Sequence, residues 1–136
     1  SNCYHYLNCN YTKKNKMNII SKILIVVIAL LHLYFLWLEM FAWTTSAKKV
    51  FRTIPEDLFE KTKVLAANQG LYNGFLSAGL LWSLAISDEI WSRNIAIFFL
   101  CCVTVAGIFG AYSASKKIFY VQALPAIITI ITILFL

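Results

Sequence analysis

The sequence predicts an all-α integral membrane protein, a bundle of four transmembrane helices packed up and down, each antiparallel to its chain neighbour. Three observations carry this. The 136 residues are 60% hydrophobic and 13% charged, about half the charged share of a soluble domain, and the mean hydropathy is +0.72. Apolar runs long enough to cross a bilayer recur along the chain, separated by short polar connections. The basic residues cluster beside those runs, at Lys13, Lys14 and Lys16, at Lys48, Lys49 and Arg52, at Lys61 and Lys63, and at Lys116 and Lys117. Such clusters set topology and meet anionic headgroups. The net charge of +6 therefore marks membrane flanks and excludes nucleic acid as a partner, since no basic face stands elsewhere.

The elements follow in order. Residues 1–16 are polar, rich in Asn and Tyr, and begin without Met; they read as an N-terminal extension outside the fold. Residues 17–136 are expected to form the four-helix domain. Span one covers about 19–43, enough at 1.5 Å per residue for a core of roughly 30 Å, with Trp37, Phe41 and Trp43 toward its far interface. Thr44 to Lys63 is the longest polar connection. Inside it, Thr53-Ile-Pro-Glu56 reads as a helix start, Thr53 capping, Pro55 in the first turn and Glu56 closing a capping box. Span two then covers about 64–86, and Ser87-Asp88-Glu89 ends it in water. Span three covers about 93–113, Lys116-Lys117 turns the chain, and span four covers about 118–136. Short connections make sequential helices antiparallel.

Loops one and three hold seven Lys and Arg, against five on the other side, or two if the chain starts at Met17. The positive-inside rule places those loops in the cytoplasm and both termini outside, in a multi-pass protein of the plasma membrane. The four cysteines form no framework. Cys3 and Cys9 lie in the polar tail, while Cys101 and Cys102 are helix neighbours pointing about 100° apart, which suits packing and not a disulfide. No zinc spacing, GxSxG or HExxH is present, so no metal, no cofactor and no catalytic residue is assigned.

Polar groups inside the spans are the functional candidates. Of six acidic residues, Glu39 alone falls within a span, and His32 shares that span seven residues away. They lie on one helix face but about 10 Å apart, too far to touch directly. Ionisable groups at membrane depth cost at least a few kcal/mol and face the bundle interior. Span two supplies partners in Asn68, Gln69, Tyr72, Asn73 and Ser77. Gly70, Gly74 and Ala78 form a small-residue ridge that admits another helix closely. Ala106, Gly107 and Gly110 repeat the device in span three. Counting along the spans puts Glu39, Asn68, Gln69, Gln122 and Tyr112 roughly 6 Å below the loop-one face, with His32 deeper, level with Asn73 to Ser77.

These same segments resemble a known family. His32-Leu-Tyr-Phe-Leu-Trp-Leu-Glu39-Met-Phe-Ala-Trp43, Asn68-Gln-Gly-Leu-Tyr-Asn-Gly74, Ala106-Gly-Ile-Phe-Gly-Ala111 and Gln122-Ala-Leu-Pro-Ala126 are similar to those of the small membrane proteins catalogued as domain of unknown function 1304. The resemblance starts at Met17 and touches all four spans. The family's last segment usually reads Gln-Gly-x-Pro-Ala, and Ala123 replaces its first Gly. The resemblance implies a four-span membrane protein and no activity.

The expected role is a polar pocket centred on Glu39 that binds or moves a small molecule, ion or lipid. His32, Asn68, Gln69, Tyr72, Asn73 and Gln122 would orient the ligand, a small lipophilic or cationic species, and Pro125 would free a carbonyl beside Gln122. A chain this short would need a homodimer to form a pathway, with the glycine ridges as its interface. Two alternatives stand beside it. One is a membrane enzyme with His32 and Glu39 as acid and base on a lipophilic substrate; an enzyme is the less favoured reading. The other is an accessory subunit that uses the polar set for helix register.

Overall fold

The structure is a computed structural model that describes residues 16–136. Among these residues it is all helical, with no strand. Helix α1 is Ile19–Phe41, α2 is the single turn Ala47–Val50, α3 is Glu56–Ala85 and α4 is Glu89–Ser113. A π-helical segment, Phe119–Ala123, leads directly into α5, Leu124–Phe135. Two helices, α1 and α4, are long and apolar enough to cross a membrane, and less than a third of either apolar stretch is buried. The run Phe119–Phe135 is apolar but shorter. At 30 residues α3 has ample length, but Asn68, Gln69, Asn73 and Ser77 hold it below the apolarity of the other two.

The described residues form two compact units, one joining residues 16–28 to Gly79–Leu136 and the other being Ala29–Ala78. In the first, polar side chains hold the beginning of α1 to the end of α5. Asn18 caps α1, its Oδ1 accepting from the Ser21 amide at 2.8 Å, while its Nδ2 donates to the Thr132 carbonyl at 3.0 Å. The buried hydroxyls of Ser21 and Thr132 meet at 2.8 Å. Asp88 caps α4 by accepting from the Trp91 amide at 2.9 Å, so Ser87-Asp88-Glu89 starts one helix as well as ending another. Ser92 closes that corner by donating to the Ser83 carbonyl at 2.7 Å. Helix α4 packs along the π segment and α5. Gly107 lies against Ala123 and Gly110 against Ile118, which makes α4 and the last helix antiparallel. Cys101 is exposed and Cys102 half-buried, so the packing role expected of that pair does not extend to Cys101.

In the second unit, residues 29–41 of α1 run antiparallel to residues 56–78 of α3, with Ser77 donating to the Ala29 carbonyl at 2.9 Å. The loop between them is folded. Leu38, Ala47 and Phe59 are buried together, flanked by Phe35, Trp43, Phe51 and Ile54. The Trp43 ring lies 5.0 Å from Phe59 and 5.5 Å from Phe51, and its Nε1 donates to Thr62 Oγ1 at 3.0 Å. Aromatic clusters of this kind bury large areas and fix geometry. Helix α3 begins at Glu56 itself, so Pro55 precedes its first turn and the capping box expected on Thr53 does not form. Lys48 takes the Glu56 carboxylate instead, at 3.2 Å.

The extension expected over 1–16 lies, for residues 1–15, outside the described residues. Lys16 is described and pairs with Glu89 at 3.5 Å.

Candidate functional site

The site forms in the second unit, where two helices approach closely because one of them lacks side chains. A Cβ on Gly70 would sit 2.7 Å from Met40 Cγ, 3.0 Å from Glu39 Cβ and 3.2 Å from the Leu36 carbonyl oxygen. At Gly74 the neighbour is Leu36 Cδ1. Those two glycines admit α1, and the residues beside them on the same face reach across. Asn73, 4% exposed, donates from Nδ2 to Glu39 Oε2 at 2.7 Å. That is a short bond, at the lower end of the N–H···O range. Glu39 is half-buried, and among the described residues its Oε1 carries no hydrogen bond. His32 is fully buried two helical turns away along α1, with its ring edge-on to Phe35 at 5.9 Å.

Of the residues singled out in the sequence, the structure thus brings together Glu39, Asn73, Gly70 and Gly74, with Ser77 on the same seam. It does not bring in Asn68, Gln69 or Tyr72, which lie on the exposed side of α3. The reason is helical phase. Residues 70, 73, 74 and 77 follow the i, i+3, i+4, i+7 spacing of a single face, and 68, 69 and 72 fall off it. Ala78 is exposed for a related reason, since steps of four drift by about 40° each. The next small residue used is Gly79, where a Cβ would run into the Phe99 ring. In α4, Gly107 and Gly110 pack while Ala106 is exposed, lining a shallow apolar groove with Phe98, Cys101, Cys102, Val105 and Phe109. Tyr112 is 90% exposed.

Gln122 and Pro125 belong to the other unit. Gln122 is half-buried in the π segment, whose wide turn closes with the Leu124 amide on the Phe119 carbonyl. Pro125 stands in the first turn of α5. The pairing of a π turn with a following proline is physically coherent, since a proline inside a regular helix clashes with the carbonyl four residues back. Sequence reading missed Asn18, Ser21 and Thr132, whose signal was available in Met17-Asn-Ile-Ile-Ser21, an Asn placed to cap an apolar helix. Among the described residues, no three His, Cys, Asp or Glu gather to hold a metal ion.

Residues 26–134 match the family described as Protein of unknown function (DUF1304). The chain belongs to that family. Among its relatives is an uncharacterised protein, YpaA, of Lactococcus lactis subsp. lactis (strain IL1403), 31% identical over 122 residues, or 88% of this chain and 100% of the relative. No solved structure matches. Glu39, Asn73, Gly70, Gly74 and Thr132 all lie within the part that matches DUF1304, whereas Asn18 and Ser21 precede it.

Proposed function

We propose that the protein is a four-span membrane protein that binds or translocates a small molecule, ion or lipid headgroup at Glu39. The observation that carries this reading is the Glu39–Asn73 bond. It holds the one acidic group of any span in a fixed position, with its second oxygen open among the described residues. A carboxyl group at membrane depth costs several times what an amide costs, and an amide would serve equally well to fix helix register. A cationic or proton-bearing ligand gives the carboxyl a reason to be there. The enzyme reading is weaker, because His32 is fully buried and two helical turns from Glu39, so no substrate atom reaches both. The accessory-subunit reading is supported by the packed glycines, each of which lies in close contact with a neighbouring side chain or backbone.

In this reading α3 and the Phe119–Phe135 run also cross the bilayer of the plasma membrane, with loops one and three cytoplasmic and both termini outside. A reporter active only in the cytoplasm should work when inserted after Arg52 and fail when fused after Leu136. The reverse pattern would invert the topology, and activity at both points would remove either α3 or the Phe119–Phe135 run as a span.

Ligand binding is tested by purifying wild type and Glu39→Gln in mild detergent and comparing the co-purifying small molecules and lipids by mass spectrometry. A species enriched with wild type and lost from the still-folded variant is the expected result. Equal profiles, with the variant merely less stable, would reassign Glu39 to packing.

A further inference from the structure

The glycines expected to form a dimer interface are already occupied within the chain. Gly70 and Gly74 take α1, Gly107 takes Ala123 and Gly110 takes Ile118. Several apolar faces remain open, on α1 and α4 among them, and the outer face of α3 differs from these in carrying two amides. Along it, Leu65, Asn68, Gln69 and Tyr72 follow i, i+3, i+4, i+7 and so form one stripe. Leu65 is 70% and Tyr72 57% exposed, and both amides are exposed with no hydrogen bond among the described residues.

We infer that this stripe is the contact between two copies of the chain, with Asn68 and Gln69 at its centre. The inference rests on α3 crossing the bilayer, as proposed above. Lys63 is the last charged residue of α3, and Asn68 follows it by five positions, roughly 7 Å further along the axis. Acyl chains at that depth offer an amide nothing to bond. A carboxamide carries a donor and an acceptor together, so it is complementary to a second carboxamide. A two-fold axis through Asn68 and Gln69 presents the stripe to itself and satisfies both amides at once. A charged partner would require the opposite charge here, and the stripe has none. Leu65 and Tyr72 then flank the amides as the apolar part of the seam, the usual composition of polar contacts between membrane helices.

The test is made in membranes with full-length chain. Leu65→Cys and Tyr72→Cys should each give a disulfide-linked dimer on mild oxidation, because symmetry-related positions on this seam come within disulfide reach. Wild type, which keeps Cys3, Cys9, Cys101 and Cys102, provides the background. Adding Asn68→Leu and Gln69→Leu should weaken dimerisation roughly tenfold, the effect of losing a few interhelical hydrogen bonds, while the helical content of the chain stays unchanged. Four results would overturn the proposal. One is a monomer at all concentrations in the membrane. Another is a dimer indifferent to the two amides. A third is cross-linking through Phe98→Cys on α4 in place of α3. The last is labelling of Tyr72→Cys by a water-soluble maleimide in sealed membranes, which would take α3 out of the bilayer.

Discussion

Asn73→Leu is expected to destabilise the protein by about 2 kcal/mol, although the substitution barely changes side-chain volume. A neutral hydrogen bond between membrane helices contributes only about 0.6 kcal/mol on average, so loss of the bond alone would be hard to measure. The larger figure comes from what is left behind. With Asn73 gone, Glu39 keeps its half-buried place beside Gly70 but loses its 2.7 Å donor, and an unsatisfied group costs about 1–3 kcal/mol. Glu39→Leu alone strands the Asn73 amide, which is 4% exposed, and is expected to cost about 1 kcal/mol by the same asymmetry. Combining the two removes both polar groups and should return the protein to within about 1 kcal/mol of wild type, a coupling in the range measured for touching residues. Unfolding of all four chains in one detergent measures the cycle. Simple additivity would mean that the two side chains do not depend on one another, and the proposed site would lose its anchor.

Gly107→Ala should cost about 2 kcal/mol, while Gly74→Ala should change stability by less than about 0.5 kcal/mol. Both gain the same helix propensity, close to 1 kcal/mol over glycine. They differ in what the new methyl meets. At Gly107 it would lie 2.5 Å from the Ala123 backbone nitrogen and 3.0 Å from its Cα, and the backbone of the π segment cannot yield without moving the last helix. At Gly74 the obstacle is Leu36 Cδ1, the tip of a flexible side chain. Overpacking costs about 1–3 kcal/mol where nothing can yield, and little where one rotamer change relieves it. Equal thermal midpoints for the two variants would show that the close approach at Gly107 is not rigid.

The sequence made the helices legible and left their faces partly hidden. Apolar length located α1 and α4, and Ser87-Asp88-Glu89 marked the corner between α3 and α4. Glu39 stood out because no other acid lies in a span. Its partner did not stand out, since Asn73 was one of the five polar residues singled out in span two, with nothing in composition to separate them. The separating information was present as phase: Asn73 and Ser77 lie beside Gly70 and Gly74 on one face, and Asn68, Gln69 and Tyr72 do not. A ridge counted in steps of four overshot to Ala78 for the same reason. The folded loop around Ala47 and Phe59 was unreadable in another way. Its core joins residues far apart in a stretch whose charge suggested a solvated connection, and Trp43 closes it from the end of α1. The π segment has no periodic signal of its own, and Pro125 alone hinted that the helix before it would be irregular.

The separation of bonded partners along the chain also sets a schedule. Glu39 and Asn73 are 34 residues apart, so at synthesis rates of roughly 5–20 residues per second the carboxyl waits about 2–7 s for its donor to be made. Asn18 and Ser21 bond to Thr132, which is 114 and 111 residues away, and wait roughly 6–23 s. The contiguous unit Ala29–Ala78 has all its parts while the ribosome is still adding the last two helices. The unit that joins residues 16–28 to Gly79–Leu136 is completed later. During that interval the polar start of α1 has neither its hydroxyl nor its carbonyl partner, and it stays open to quality-control proteases until Thr132 is made.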